Sequence, residues 1–119
     1  MKENVILEKS FDFALSIIGL YQVLQRQHEY VLSKQLLRSG TSIGANVEES
    51  TAAQSRKDFI TKMTVASKEA RESMYWLKLL DRSQIVKMDY SVYMQALTEV
   101  IRILTAIVKT SSIRTPVSN

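Results

Sequence analysis

The chain has 119 residues, enough for one domain with a single hydrophobic core. It has no cysteine, which excludes disulfides and thiolate metal sites, while three glycines, one proline and 45% hydrophobic residues suit a compact helical protein. The net charge is +4, a mild basic bias whose excess sits mostly in residues 51–82, where seven Lys/Arg face four Asp/Glu.

The opening MKENVILEKS holds no sustained apolar run, so no signal peptide is expected. The longest apolar patches are expected to fall far short of the roughly 20 residues that span a bilayer. A cytoplasmic protein without a membrane partner is the expectation.

The first helix is expected over residues 5–28. Phe11, Ala14, Leu15, Ile18, Tyr21 and Leu24 recur at spacings of three and four, the apolar stripe of an amphipathic helix. Gly19 interrupts that stripe without breaking its phase. No glycine or proline marks the turn to the second helix, expected over residues 30–52.

The second helix contains QLLRSGTSIGANVEES (residues 35–50), dense in glycines and hydroxyls. Leu32, Leu36, Ser39, Ile43 and Val47 keep helical phase through it. Gln35, Arg38, Ser42, Ala45, Asn46 and Glu49 form a polar stripe beside them. Gly40 and Gly44 each cost about 1 kcal/mol relative to alanine in a helix interior. That cost suits a place where another helix approaches closely. The alternative is a loop splitting two short helices; the unbroken phase argues against it.

The third helix is expected over residues 55–82, started by Ser55 with Asp58 three residues on, a variant of the capping box. Its apolar stripe is Phe59, Met63, Ala66, Ala70, Met74 and Leu77, with Glu69, Glu72 and Trp76 on a polar stripe beside it. The fourth is expected over residues 89–111, with Asp89 as N-cap and Tyr93, Leu97, Val100, Ile101, Leu104 and Val108 at helical spacing. Residues 113–119, with Pro116, read as a flexible tail after a single domain of residues 1–112. Four amphipathic helices with short connections predict an all-α, antiparallel up-down-up-down bundle.

If the turn between helices two and three centres on residues 53–54, Arg38 falls level with Glu69 and Gln35 with Glu72. An inter-helix Arg38–Glu69 ion pair is therefore expected, with Glu72 close by. If the pair is buried, removing one partner costs about 3–5 kcal/mol. Gln35, Arg38, Ser42, Asn46, Glu49, Glu69, Glu72 and Trp76 then form either an internal polar network or a subunit interface; the alternative is a row of solvated charges on an outer face, against which Trp76 on the same stripe argues.

QLLRSGTSIGANVEES, followed by Ser55, Phe59 and ASKEARESMYWLKLL (residues 66–80), resembles the 23S rRNA intervening-sequence family over nearly the whole chain. Ser39, Ser42, Ile43, Ala45 and Asn46 carry the first motif; Glu69, Glu72 and Trp76 carry the second. The resemblance implies a four-helix protomer, a homopentameric ring in related proteins, and a role with nucleic acid. It is also similar to the accessory proteins of diversity-generating retroelements, which assist a reverse transcriptase. The family name records a genomic location rather than an activity.

From the residues themselves, the leading expectation is a non-enzymatic oligomeric module that meets RNA or DNA phosphates. The candidate contacts are Arg56, Lys57, Lys62, Lys68, Arg71 and Lys78. Tyr75 and Trp76 read as packing residues rather than base-stacking platforms, so sequence-specific recognition is not expected. The alternative is a scaffold for a protein partner, its basic charge serving only solubility. A di-iron enzyme would need Glu-x-x-His pairs on two helices. Here His28 is the one histidine and Glu69–Glu72 is Glu-x-x-Glu. No base is marked beside a hydroxyl nucleophile. No catalytic residue, metal or cofactor is expected.

Overall fold

A computed structural model describes residues 2–114, which form four helices and, among the described residues, no strand. α1 spans Lys2–Arg26, α2 Leu32–Ser50, α3 Arg56–Ser83 and α4 Ser91–Arg114. α2 packs between α1 and α3, and α4 closes the bundle against α3 and α1. α1 and α2 run antiparallel, as do α2 and α3. Gly40 faces Ile17 and Gly44 faces Ser10 between α1 and α2. Ser39 meets Ser73 and Glu49 meets Lys62 between α2 and α3, while Lys9 meets Glu99 between α1 and α4. The product is the expected up-down-up-down four-helix bundle, a rod of 53 × 23 × 23 Å.

The glycine-rich stretch is continuous helix within α2, and its small residues are where neighbours come close. An added Cβ at Gly40 would lie 3.1 Å from Cγ2 of Ile17, and one at Gly44 would lie 3.4 Å from the Ser10 carbonyl oxygen. On the α3 side, the buried hydroxyls of Ser39 and Ser73 hydrogen-bond at 2.8 Å, on the face of α3 that also buries Ala66 and Ala70. Both hydroxyls thereby stay satisfied away from water.

Burial follows the expected apolar faces of α2, α3 and α4. Leu36, Ser39, Ile43 and Val47 of α2, Met63, Ala66, Ala70 and Leu77 of α3, and Leu97, Val100 and Leu104 of α4 are all buried. The first helix differs. An amphipathic stripe is expected to face the core, yet Phe11, Leu15 and Ile18 are 62%, 54% and 41% exposed. The buried side of α1 is Ile6, Phe13, Ile17, Leu20 and Leu24. This helix carries apolar residues on two faces, and only one of them meets its neighbours.

The turns use side chains in place of glycine. His28 takes the left-handed conformation (φ 65°) and its ring Nδ1 hydrogen-bonds the Tyr30 hydroxyl at 2.8 Å. Glu29 is buried and accepts the first backbone N–H groups of α2, from Val31 (3.1 Å), Leu32 (3.0 Å) and Ser33 (2.6 Å). A carboxylate at a helix N-terminus meets unpaired donors and the positive end of the dipole. Ser55 caps α3 as expected, its Oγ accepting from the Asp58 N–H at 3.1 Å. Asp89 lies two residues before the first residue of α4 and accepts from the Ser91 N–H at 2.9 Å, which holds its carboxyl below the ordinary range.

Segment Ser91–Ile113 is long and apolar enough to cross a membrane by length and composition. That corrects the expectation that every apolar segment falls far short. In the bundle Leu97, Val100, Leu104 and Ile107 of this segment are buried in the protein core. α4 continues to Arg114, past the expected start of the tail, whose residues 115–119 lie outside the described residues.

Candidate nucleic-acid interface

α3 buries Met63, Ala66, Ala70, Ser73, Leu77 and Leu80. The opposite side of the same helix is set by geometry. Lys57, Thr61, Thr64, Lys68, Arg71, Tyr75, Lys78 and Arg82 follow one another at alternating steps of four and three. At about 100° per residue they occupy one arc of roughly 100°, facing away from the core. All are exposed except the half-buried Thr64. With a rise of about 1.5 Å per residue, this cationic stripe runs about 38 Å along the rod.

The four carboxylates of α3, on Asp58, Glu69, Glu72 and Asp81, belong to positions outside this arc. Glu69 and Glu72 turn to the α2 seam and pair with Arg38. Asp58 accepts from the Gln54 N–H at 3.3 Å. Among the described residues, no ion pair takes up Lys57, Lys68, Arg71, Lys78 or Arg82. The stripe is a row of solvated cations with no interleaved acid.

Of the six expected phosphate contacts, Lys57, Lys68, Arg71 and Lys78 share this face. Arg56 is exposed at the first position of α3 and lies off the arc. Lys62 turns to the α2 seam and pairs with Glu49 at 2.8 Å. That hydrogen bond and the Glu49 charge hold its ammonium above the usual lysine range. Arg82, outside the expected set, joins this face: its spacing from Lys78 and Tyr75 places it in phase.

Tyr75 also needs correction. It is 56% exposed, so it is not a packing residue. Its ring meets Trp76 at a centroid distance of 5.1 Å and an interplanar angle of 67°. Trp76 is the half-buried member, packed on the core and donating its indole N–H to Glu72 Oε2 at 3.0 Å.

The polar stripes of α2 and α3 meet along their shared seam. The Arg38 guanidinium contacts Glu72 directly and reaches Glu69 at 3.5 Å. Its closer partner is therefore one helical turn beyond the one expected. Gln35 contacts Arg38 on its own helix at 3.5 Å rather than Glu72. Asn46 donates to the Ser42 carbonyl at 2.9 Å and lies 3.2 Å from the Ser42 hydroxyl. The Arg38 side chain is 51% exposed, so this pair sits in high dielectric rather than in a buried site.

The exposed apolar row of α1 borders a second feature, on the side of the rod away from the basic stripe. Phe11, Leu15 and Ile18, with Leu7, Gly44 and Ala45, line a groove of about 400 Å³. Among the described residues no group of three or more His, Cys, Asp or Glu is placed to hold a metal ion.

Comparison with known proteins adds the family. The 23S rRNA-intervening sequence protein family matches residues 2–106. A crystal structure of a protein of unknown function from the S23 ribosomal protein family of Bacteroides thetaiotaomicron VPI-5482 is similar at 49% identity. It covers 92% of this chain and 99% of its own, with a TM-score of 0.86. Among proteins with curated descriptions, none matches the chain.

Proposed function

The chain belongs to the 23S rRNA-intervening sequence protein family, and from that premise we propose that it is a non-enzymatic module that binds RNA or DNA and self-associates. The carboxylate-free cationic stripe of α3 carries the reading. Five cations on one straight face meet phosphates and release counterions, which supplies affinity that depends on salt and little on sequence. The family's name, with 23S rRNA in it, supports the same reading. The protein acts in the cytoplasm, and its chain has no cysteine that calls for an oxidising compartment.

Self-association uses the other side of the rod. A contiguous apolar row such as Phe11, Leu15 and Ile18 marks an interaction surface. Its occupant is another copy of the same chain, and a pentameric ring is the assembly favoured by the resemblance. A ring would present several α3 stripes at once and raise avidity for a long ligand.

Two experiments test this. Light scattering after size exclusion reads the mass of the wild type and of Phe11→Asp/Leu15→Asp; the reading requires an oligomer that the double variant breaks. Anisotropy titration of labelled RNA reads binding by the wild type and by Arg71→Glu/Lys78→Glu; the reading requires loss in the variant. A monomer that retains its groove and binds no nucleic acid would instead favour a scaffold for a different protein.

A further inference from the structure

We infer that the nucleic acid held by α3 is a single strand, with an unpaired base stacked on Tyr75. This rests on the reading of α3 as the phosphate-binding face and adds the conformation of the ligand. Tyr75 stands in the C-terminal third of the stripe, with Arg71 four residues before it and Lys78 three after. Residues at those spacings are neighbours on a helix surface, about 5–6 Å apart at Cβ. The phenol ring thus has a cation on each side along the helix axis, and the acid at the same spacing, Glu72, has its carboxylate taken up by Arg38 and the Trp76 indole.

The ring is available: Tyr75 is 56% exposed, and its aromatic contact with Trp76 is an inclined one at 67° rather than a parallel stack. Trp76 is itself anchored by its hydrogen bond to Glu72, so Tyr75 rests on a fixed support. An aromatic platform between cations is how proteins take single strands without reading sequence: phosphates follow the charges and a base stacks on the ring.

A duplex fits the same surface poorly. Its bases are stacked and paired, so an aromatic ring on a convex helix gains a base face only by unstacking the pair. A duplex groove also winds through a full turn in about 34–36 Å. A straight stripe of about 38 Å cannot stay in that groove over its whole length.

The test compares a labelled oligouridylate with a duplex of equal length, against wild type, Tyr75→Ala, Tyr75→Trp and Lys68→Glu/Arg71→Glu/Lys78→Glu. Tyr75 is on the surface, and circular dichroism checks that each variant is folded. The wild type is expected to prefer the single strand. Tyr75→Ala should weaken single-strand binding about fivefold to a hundredfold and leave the duplex affinity unchanged. Tyr75→Trp should restore it. Trp76, the only tryptophan, adjoins Tyr75, so in the wild type its fluorescence should change on single-strand binding.

Equal affinity for both ligands, with Tyr75→Ala neutral and charge reversal abolishing both, would overturn the inference and leave the phosphate-binding reading standing. Wild-type binding to neither ligand would overturn both.

Discussion

Arg38 on α2 and Trp76 on α3 converge on one carboxylate: Glu72 Oε2 takes the guanidinium from one side and the indole N–H, at 3.0 Å, from the other. The contact spans the seam yet stays half in water, since the Arg38 side chain is 51% exposed and that of Glu72 is 35% exposed. Arg38→Ala is therefore expected to lower stability by less than about 1 kcal/mol, read from urea midpoints of a protein too dilute to assemble. A loss of about 3 kcal/mol or more would contradict the solvated geometry.

Two glycines in helix interiors should respond with opposite signs. Gly19 has nothing within 4 Å of an added Cβ, so Gly19→Ala should stabilise by about 0.5–1 kcal/mol through lost chain entropy. At Gly40 the added Cβ meets the fully buried, branched Ile17 at 3.1 Å. Gly40→Ala should destabilise by about 1–2 kcal/mol as α1 and α2 are forced apart. Thermal and urea unfolding of the two variants side by side check the contrast; a shared sign would refute it.

Glu29 is the acceptor for three backbone N–H groups at the start of α2. Glu29→Ala leaves those donors unmet and should cost about 1–2 kcal/mol, with hydrogen exchange quickening first at Val31, Leu32 and Ser33. Unchanged exchange at those amides would show that the cap is dispensable.

Tyr90 makes stability sensitive to alkali. Its phenol is fully buried, donates to the Val86 carbonyl at 2.8 Å, and is pushed above the ordinary tyrosine range by burial first and by the charges of Glu29, Asp81 and Tyr93 second. The folded protein thus holds this proton more tightly than the unfolded chain. Below the unfolded value of about 10 both are protonated and the contribution is whole; as pH rises through it, the unfolded chain ionises first and stability falls. Tyr90→Phe should cost about 1 kcal/mol at neutral pH and remove part of the alkaline loss. Parallel losses in both proteins above pH 10 would contradict this.

Much of this bundle was legible because burial and helical period agree where only one face is apolar, as along Leu36, Ile43 and Val47. The cap at Ser55 was legible because a hydroxyl followed three residues later by an acid has one common use. α1 was not. Phe11, Leu15 and Ile18 keep the same spacing as Phe13, Ile17, Leu20 and Leu24, and hydropathy alone does not say which row meets a neighbour. The α1–α2 turn was hidden because a left-handed histidine and a carboxylate do the work that glycine or proline usually signals. At the candidate site, the cations were recognised by type. Their common phase, with Arg82 and Tyr75 in it and Arg56 and Lys62 out of it, emerged only once the core side of α3 was known.

The most direct test of the central claim is the salt dependence of nucleic-acid binding. The logarithm of the binding constant for a labelled single strand, plotted against the logarithm of salt concentration, should fall with a slope of about −0.7 for each phosphate neutralised. Lys78→Ala should make that slope shallower by nearly one such step. A wild-type slope near zero, or a slope and affinity unchanged when Lys68, Arg71 and Lys78 are reversed in charge, would contradict the assignment of α3 as the nucleic-acid interface.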